Sequence, residues 1–287
     1  MLTGIHFLLT YTCIYECDHC FLHCGPQAEG TFTLEQLRAV FKQIKRIPSV
    51  EMVYFEGGEA FLYYPLLIEG LRLARQSGLG AGIVTNAYWA TSVDDAALWL
   101  KPLRALKLAD LSISDDAFHE STEAGSPPKL ALEAARKLGV PCGTICIGDD
   151  VYFRGRAAEK LTGDLPRRPC SSFTTCPHEE LEQPERMHVD CHGNAHICQG
   201  VSMGNMWTAP LARLVREYNA RAHPICGPLV AGGPLQLARE YGVALSDDYV
   251  DECHCCYAVR KALRDRFPEH LVPRQVYGLK PLPVQHF

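Results

Sequence analysis

Two hydrophobic periods alternate along the first 150 residues. Short runs rich in β-branched and aromatic residues occur at 5–10, 52–55, 82–85, 111–114 and 140–147. Between them, at 33–47, 65–76, 94–106 and 129–138, apolar residues recur at helical spacing. Thr33 and Gln36 have the spacing of a capping box, Pro65 suits a first helical turn, and Gly78 and Gly139 sit where helices would stop. Strand–helix alternation of this kind predicts βαβ units and a parallel sheet, with functional residues in the loops after the strands.

The rhythm stops near residue 151. Residues 186–190 and 195–199, around Gly193-Asn194, read as a β-hairpin, and helices are expected at about 210–220, 234–241 and 247–266. A boundary near 165 divides the chain into an α/β unit (1–165), a small Cys-rich unit (166–267) and a proline-bearing tail (268–287) expected to lie extended over the surface.

Composition narrows the class. With 47% hydrophobic and 21% charged residues the chain is globular, and its net charge of −5 argues against nucleic acid or an anionic membrane as the main partner. The N-terminus has no basic region and only a short, interrupted apolar run, so neither an export signal nor a membrane span is expected, and the cytoplasm is the expected location. Fourteen cysteines in such a chain point to metal rather than disulfides.

The first chemical signal is Cys13-Ile-Tyr-Glu-Cys17-Asp-His-Cys20, in the loop after the first expected strand. Three thiolates so spaced can wrap one cluster and leave an iron open to a small molecule. Zinc is the alternative, with Cys24, His23 or His19 as a fourth ligand. The second signal is Glu56-Gly57-Gly58-Glu59, where two glycines allow close backbone approach at the end of the second strand.

Together these motifs resemble the radical S-adenosylmethionine (SAM) superfamily, although His19 stands where an aromatic residue is usual. The resemblance implies a partial (β/α) barrel of five to six parallel strands and a [4Fe–4S] cluster held by Cys13, Cys17 and Cys20. SAM would chelate the open iron, with contacts from Gly57, Gly58, Glu59, Asn86, Ser114 and Asp116. Reduction of the sulfonium would release a 5′-deoxyadenosyl radical that takes hydrogen from the substrate. The later cysteines resemble the SPASM/twitch branch, implying one auxiliary [4Fe–4S] cluster on Cys176, Cys198, Cys253 and Cys256, with Cys170, Cys191 and Cys255 in reserve. A zinc site on the same residues is the alternative.

The family's sixth strand has a weak counterpart at 151–154. Cys142, Thr144 and Cys146 share one face of the fifth strand; if that face is the lumen, Cys146 is a candidate hydrogen-atom donor. His119 and Arg156 are candidate contacts to substrate or SAM. With Cys13 so near the start, no peptide-binding domain is expected before it, and a separate protein or the barrel itself would hold any leader peptide. A flavodoxin or ferredoxin is implied as electron donor. Peptide or protein modification is the expected activity, with dehydrogenation of a small molecule or a non-catalytic zinc or iron–sulfur protein as alternatives.

Overall fold

In the computed structural model, residues 1–119, 125–148 and 151–280 are described. Strands β1 (Gly4–Thr10), β2 (Met52–Gly57), β3 (Gly80–Thr85), β4 (Asp110–Ser114) and β5 (Cys142–Ile145) are parallel neighbours. Between them run helices α1 (Leu34–Ile44), α2 (Tyr64–Gln76), α3 (Val93–Ala105) and α4 (Pro127–Leu138). Helix α1 shows how the local code works. Thr33 Oγ1 accepts from Gln36 N at 3.1 Å while Thr33 N donates to Gln36 Oε1 at 2.8 Å, and Leu37, Val40, Phe41 and Ile44 form its buried stripe.

Side-chain alternation sorts the sheet's two faces. Ile5, Phe7, Leu9, Val53, Phe55, Ile83, Leu111 and Ile113 join the buried stripes of α1–α4 in one core. Since all four helices cover that face, the other is left to line a lumen. His6, Leu8, Tyr54, Glu56, Val84 and Ser114 lie on it by alternation.

The chain continues through α5 (Arg156–Lys160), β6 (Arg168–Pro169), β7 (Arg186–Asp190), β8 (Asn194–Cys198) and β9 (Val201–Asn205). It ends in α6 (Leu211–Glu217), α7 (Cys226–Tyr241), β10 (Asp248–Tyr249) and α8 (Glu252–Leu263). Strand β7 returns to pair in parallel with β1, and the β7–β8 hairpin and β9 extend the same sheet, giving the order β5-β4-β3-β2-β1-β7-β8-β9. The sheet therefore crosses the boundary expected near 165. The buried side chains nevertheless divide: a second core unites Ile197 and Val201 with α7, α8 and Tyr277.

Three expectations need correction. Residues 151–154 form no strand, so β5 is an edge with Gly143, Thr144 and Ile145 exposed. Helix α8 begins only at Glu252, because Asp248–Tyr249 pairs with β6 and Asp251 caps the helix by accepting from His254 N. The tail is not simply extended over the surface as far as it is described: Arg274–Tyr277 makes a 3-10 turn that buries Val276 and Tyr277, with Tyr277 Oη donating to Gly200 O at 2.7 Å. Residues 281–287 lie outside the described part. Among the described residues no helix is long and apolar enough to cross a membrane.

Candidate functional site

The loop after β1 closes on itself: Thr10 bridges Thr31, Thr12 bridges Gly25, and Cys13 N donates to Gly25 O at 3.1 Å. This turns Cys13, Cys17 and Cys20 into one cavity of about 230 Å³, also lined by Gly57, Gly58, Asn86, Ser114 and His119. A fourth thiol lines it too. Cys24 is 2% exposed; its backbone N–H points at Cys20 Sγ at 3.4 Å, and its thiol hydrogen-bonds the same sulfur. That hydrogen bond pulls the Cys20 thiol down to about 6. Burial pushes Cys13 up to about 11 and Cys17 up to about 12. Cys24 thus supports the Cys20 thiolate, while Cys13 and Cys17 need a cationic group before they give up their protons.

The Gly-Gly step lets two strand ends touch. A Cβ on Gly58 would stand 2.1 Å from Thr12 O, and one on Gly57 would stand 2.3 Å from Thr10 O, where φ is +130° as well. The contact is sealed by Gly58 N donating to Thr10 O (2.7 Å) and Glu59 N donating to Thr12 O (3.0 Å). The glycines thus serve the cysteine loop as well as the cavity wall.

Glu59 does not line the cavity. Its carboxylate accepts from Phe61 N (2.9 Å), Thr85 Oγ1 (2.9 Å) and Asn86 N (2.8 Å), which ties the end of β2 to the end of β3. Asn86, held by this brace, directs Nδ2 toward Cys13 Sγ at 3.6 Å. At the end of β4, Ser114 faces the cavity but Asp116 does not; it accepts from Phe118 N at 3.0 Å and pairs with His119 Nδ1 at 2.8 Å. His119 is the residue of this pair that reaches the cavity wall. His19 packs against it, ring centroids 5.0 Å apart, and burial lowers His19 to about 4.

Arg156, expected at substrate or SAM, instead clamps the loop from behind. Its Nη1 donates to Cys17 O and its Nη2 to Cys24 O, both at 2.7 Å, and its backbone N donates to Cys20 O at 2.9 Å. Gly155, at φ +61°, brings this segment so close that a Cβ would lie 2.5 Å from the Phe21 carbonyl.

Cys146 is on the wrong face for a hydrogen-atom donor. Cys142 pairs with Leu111 and Thr144 with Ile113, both core-facing, and it is Ile145 and Ile147 that line the cavity. Cys146 is exposed on the opposite side.

A second cavity brings together Cys176, Cys198, Cys253 and Cys256. Two guanidiniums adjoin it. Arg154 Nη1 donates to Cys198 Sγ (3.2 Å) and to Glu179 Oε1 (3.0 Å), while buried Arg260 donates to Gln199 O at 2.9 Å. Burial raises the thiols of Cys176 (to about 12), Cys253 and Cys256. The other cysteines of this half lie elsewhere: Cys170 and Cys255 in an apolar cluster with Phe173 and Tyr249, Cys191 in the main core, and Cys226 in the second core. The contacts of Arg154 and Arg260 with the second cavity, and that of Cys24 with Cys20, are not revealed by motif spacing, because they bridge distant parts of the chain or depend on how one loop folds back.

Comparison with known proteins follows this geometry. Over 125 residues the chain is 26% identical to “Putative peptide biosynthesis protein YydG” of Bacillus subtilis (strain 168). The match takes in 44% of this chain and only 39% of that relative's length. The fold is similar to BtrN solved in complex with AdoMet and 2-DOIA (TM-score 0.56, 13% identity, 76% of this chain and 83% of that one). It is also similar to native anSMEcpe with bound AdoMet (TM-score 0.52, 12% identity, 93% and 97%). The family model described as “Radical SAM superfamily” matches residues 7–153, just over half of the chain, and the protein belongs to that superfamily.

Proposed function

We propose that this radical SAM enzyme removes a hydrogen atom from a peptide during that peptide's maturation. The observation that carries the chemistry is the convergence of Cys13, Cys17 and Cys20 on one cavity walled by Gly57 and Gly58. The peptide reading is supported by the similarity to YydG.

The donor set fits a [4Fe–4S] group with SAM. Three soft sulfurs face a shared space, two of them needing a cation to ionise, beside exposed backbone at a strand end. When bound, the group supplies one-electron reduction of SAM and so hydrogen-atom abstraction. The chain's own residues hold and shield it. Cys13, Cys17 and Cys20 are the iron ligands in this reading; Cys24 steadies Cys20, and Arg156 fixes the loop. The Gly57–Gly58 backbone, Asn86 and Ser114 meet SAM, while Asp116 orients His119 toward it. Glu59 acts through Asn86 as a positioning residue.

Cys176, Cys198, Cys253 and Cys256 are assigned to one auxiliary [4Fe–4S] cluster, whose negative charge Arg154 and Arg260 offset. Residues 1–165 then form the SAM-binding unit and 166–267 the auxiliary unit. A cytoplasmic setting, with a flavodoxin or ferredoxin supplying electrons, suits fourteen reduced cysteines.

The test is anaerobic reconstitution, followed by dithionite, SAM and a short precursor peptide encoded next to the enzyme. Formation of 5′-deoxyadenosine with a mass change in the peptide is expected, and Cys17→Ala abolishes both. Nucleoside formation coupled to oxidation of a small metabolite, with the peptide untouched, would overturn the substrate assignment.

A further inference from the structure

Below the cysteine cavity the inner face of the sheet carries a group that the reading above leaves without a task. His6 on β1 pairs in register with His188 on β7, and Glu56 on β2 stands one inward position further along. Glu56 Oε1 lies 2.9 Å from His188 Nε2 and 3.3 Å from His6 Nδ1, and all three atoms fall within 4.8 Å of one another. Ligand atoms around a tetrahedral ion with bonds of about 2.0–2.1 Å stand about 3.3 Å apart. Two imidazoles and one carboxylate on one side of an ion are a common set for zinc or ferrous iron, and they leave coordination positions open.

A second observation points the same way. Gln199 is 5% exposed and lies against the His188 ring, with its Nε2 3.4 Å from Nδ1 and 3.3 Å from Nε2. In this orientation its Oε1 is buried with no hydrogen-bond partner among the described residues. Turning the amide over sets that oxygen against the same two nitrogens, where a proton on Nδ1 would satisfy it. In that tautomer His188 Nε2 carries the lone pair that a metal ion binds. A lone pair 2.9 Å from a carboxylate oxygen is repulsive unless a cation lies between them.

We propose that His6, Glu56 and His188 bind a divalent first-row transition-metal ion, with Gln199 orienting His188 and the open positions facing the lumen. The location suits a substrate-holding role. Glu56 also lines the cysteine cavity, and His6 lines a cavity of about 450 Å³ at the N-terminal ends of β1, β2 and β7. An oxygen donor on a substrate reaching from one cavity to the other would meet the ion in between.

The test rests on no assignment of the cysteines. Reconstituted, chelator-washed protein is titrated with Co²⁺; bound cobalt is counted by mass spectrometry, and iron is counted in the same samples. About one equivalent should bind without a thiolate-to-cobalt charge-transfer band, because the ligands are nitrogen and oxygen. His188→Ala and His6→Asn should each abolish that binding with iron content unchanged. Gln199→Leu should weaken it about 10–100-fold, as loss of an orienting hydrogen bond to a ligand does. Should one histidine variant fail to fold by circular dichroism, the other and Gln199→Leu carry the test. Absence of bound cobalt, binding that survives both histidine variants, or a spectrum dominated by thiolate would overturn the proposal.

Discussion

Arg156 offers the sharpest test of how the cysteine loop is held. Its guanidinium donates to the carbonyls of Cys17 and Cys24 at 2.7 Å, and so pins the two ends of the stretch that contains Cys20. Hydrogen bonds from a charged donor contribute about 1.5–3 kcal/mol each, and the half-buried position favours the lower end. Loss of both should therefore cost about 3 kcal/mol of loop order, or roughly a hundredfold in the equilibrium between held and released loop. The backbone bond from Arg156 N to Cys20 O survives substitution by alanine or lysine, so the segment stays docked. The assay is the rate at which iron leaves the anaerobic, reconstituted enzyme into a chelator. Arg156→Ala should shed the iron of the N-terminal site far faster than the parent, with a fall of several degrees in melting temperature and no loss of the folded state. Arg156→Lys should fall between, since an ammonium lacks the fork that serves two carbonyls at once. Iron loss from Arg156→Ala at the parental rate would refute the clamp, and a selective defect in SAM affinity would restore a direct contact with SAM.

Other outcomes follow from the same geometry. Gly58→Ala must push its wall away from Thr12 O, 2.1 Å from the added Cβ, and turnover should drop about a hundredfold, as misplacement of about 1 Å does; normal turnover would contradict the close approach. Cys198→Ala should lower bound iron by about one four-iron cube while SAM cleavage partly persists, whereas Cys170→Ala should leave iron unchanged; equal iron in both would undo the auxiliary assignment. Cys146→Ser should leave product formation as in the parent, because its side chain faces away from the cavity; quenched turnover would refute that placement. His223, lowered to about 4 by burial, donates from Nε2 to Ser202 O at 3.0 Å and accepts at Nδ1 from Ile225 N and Cys226 N. Its folded pKa lies below the unfolded value, so the unfolded chain takes up the proton first as pH falls. Its stabilising contribution is complete above about pH 6.5 and declines toward pH 4, by up to about 3 kcal/mol. Chemical denaturation across that range should show a decline that is shallower in His223→Gln than in the parent, since His19 and His23 are lowered as well; identical profiles would refute the assignment.

What the sequence determined by itself is what local spacing controls. Period-two and period-3.6 patterns placed β1–β5 and α1–α4 to within a few residues, because burial of one face is written into neighbouring positions. The three cysteines after β1 and the Gly-Gly at the end of β2 were legible for the same reason, since each motif lies within one loop. Tertiary structure alone decided the rest. Which face of β5 looks inward depends on its register with β4 and on the side the helices take, so Cys146 was open to the wrong reading. β7 lies beside β1 through a parallel pairing that joins Gly4 to Arg186, and no local pattern encodes such a partner. Arg156 meets Cys17 across 139 residues, and His6, Glu56 and His188 converge from three strands. These contacts arise only when the sheet is assembled, because they are set by strand order and not by spacing along the chain.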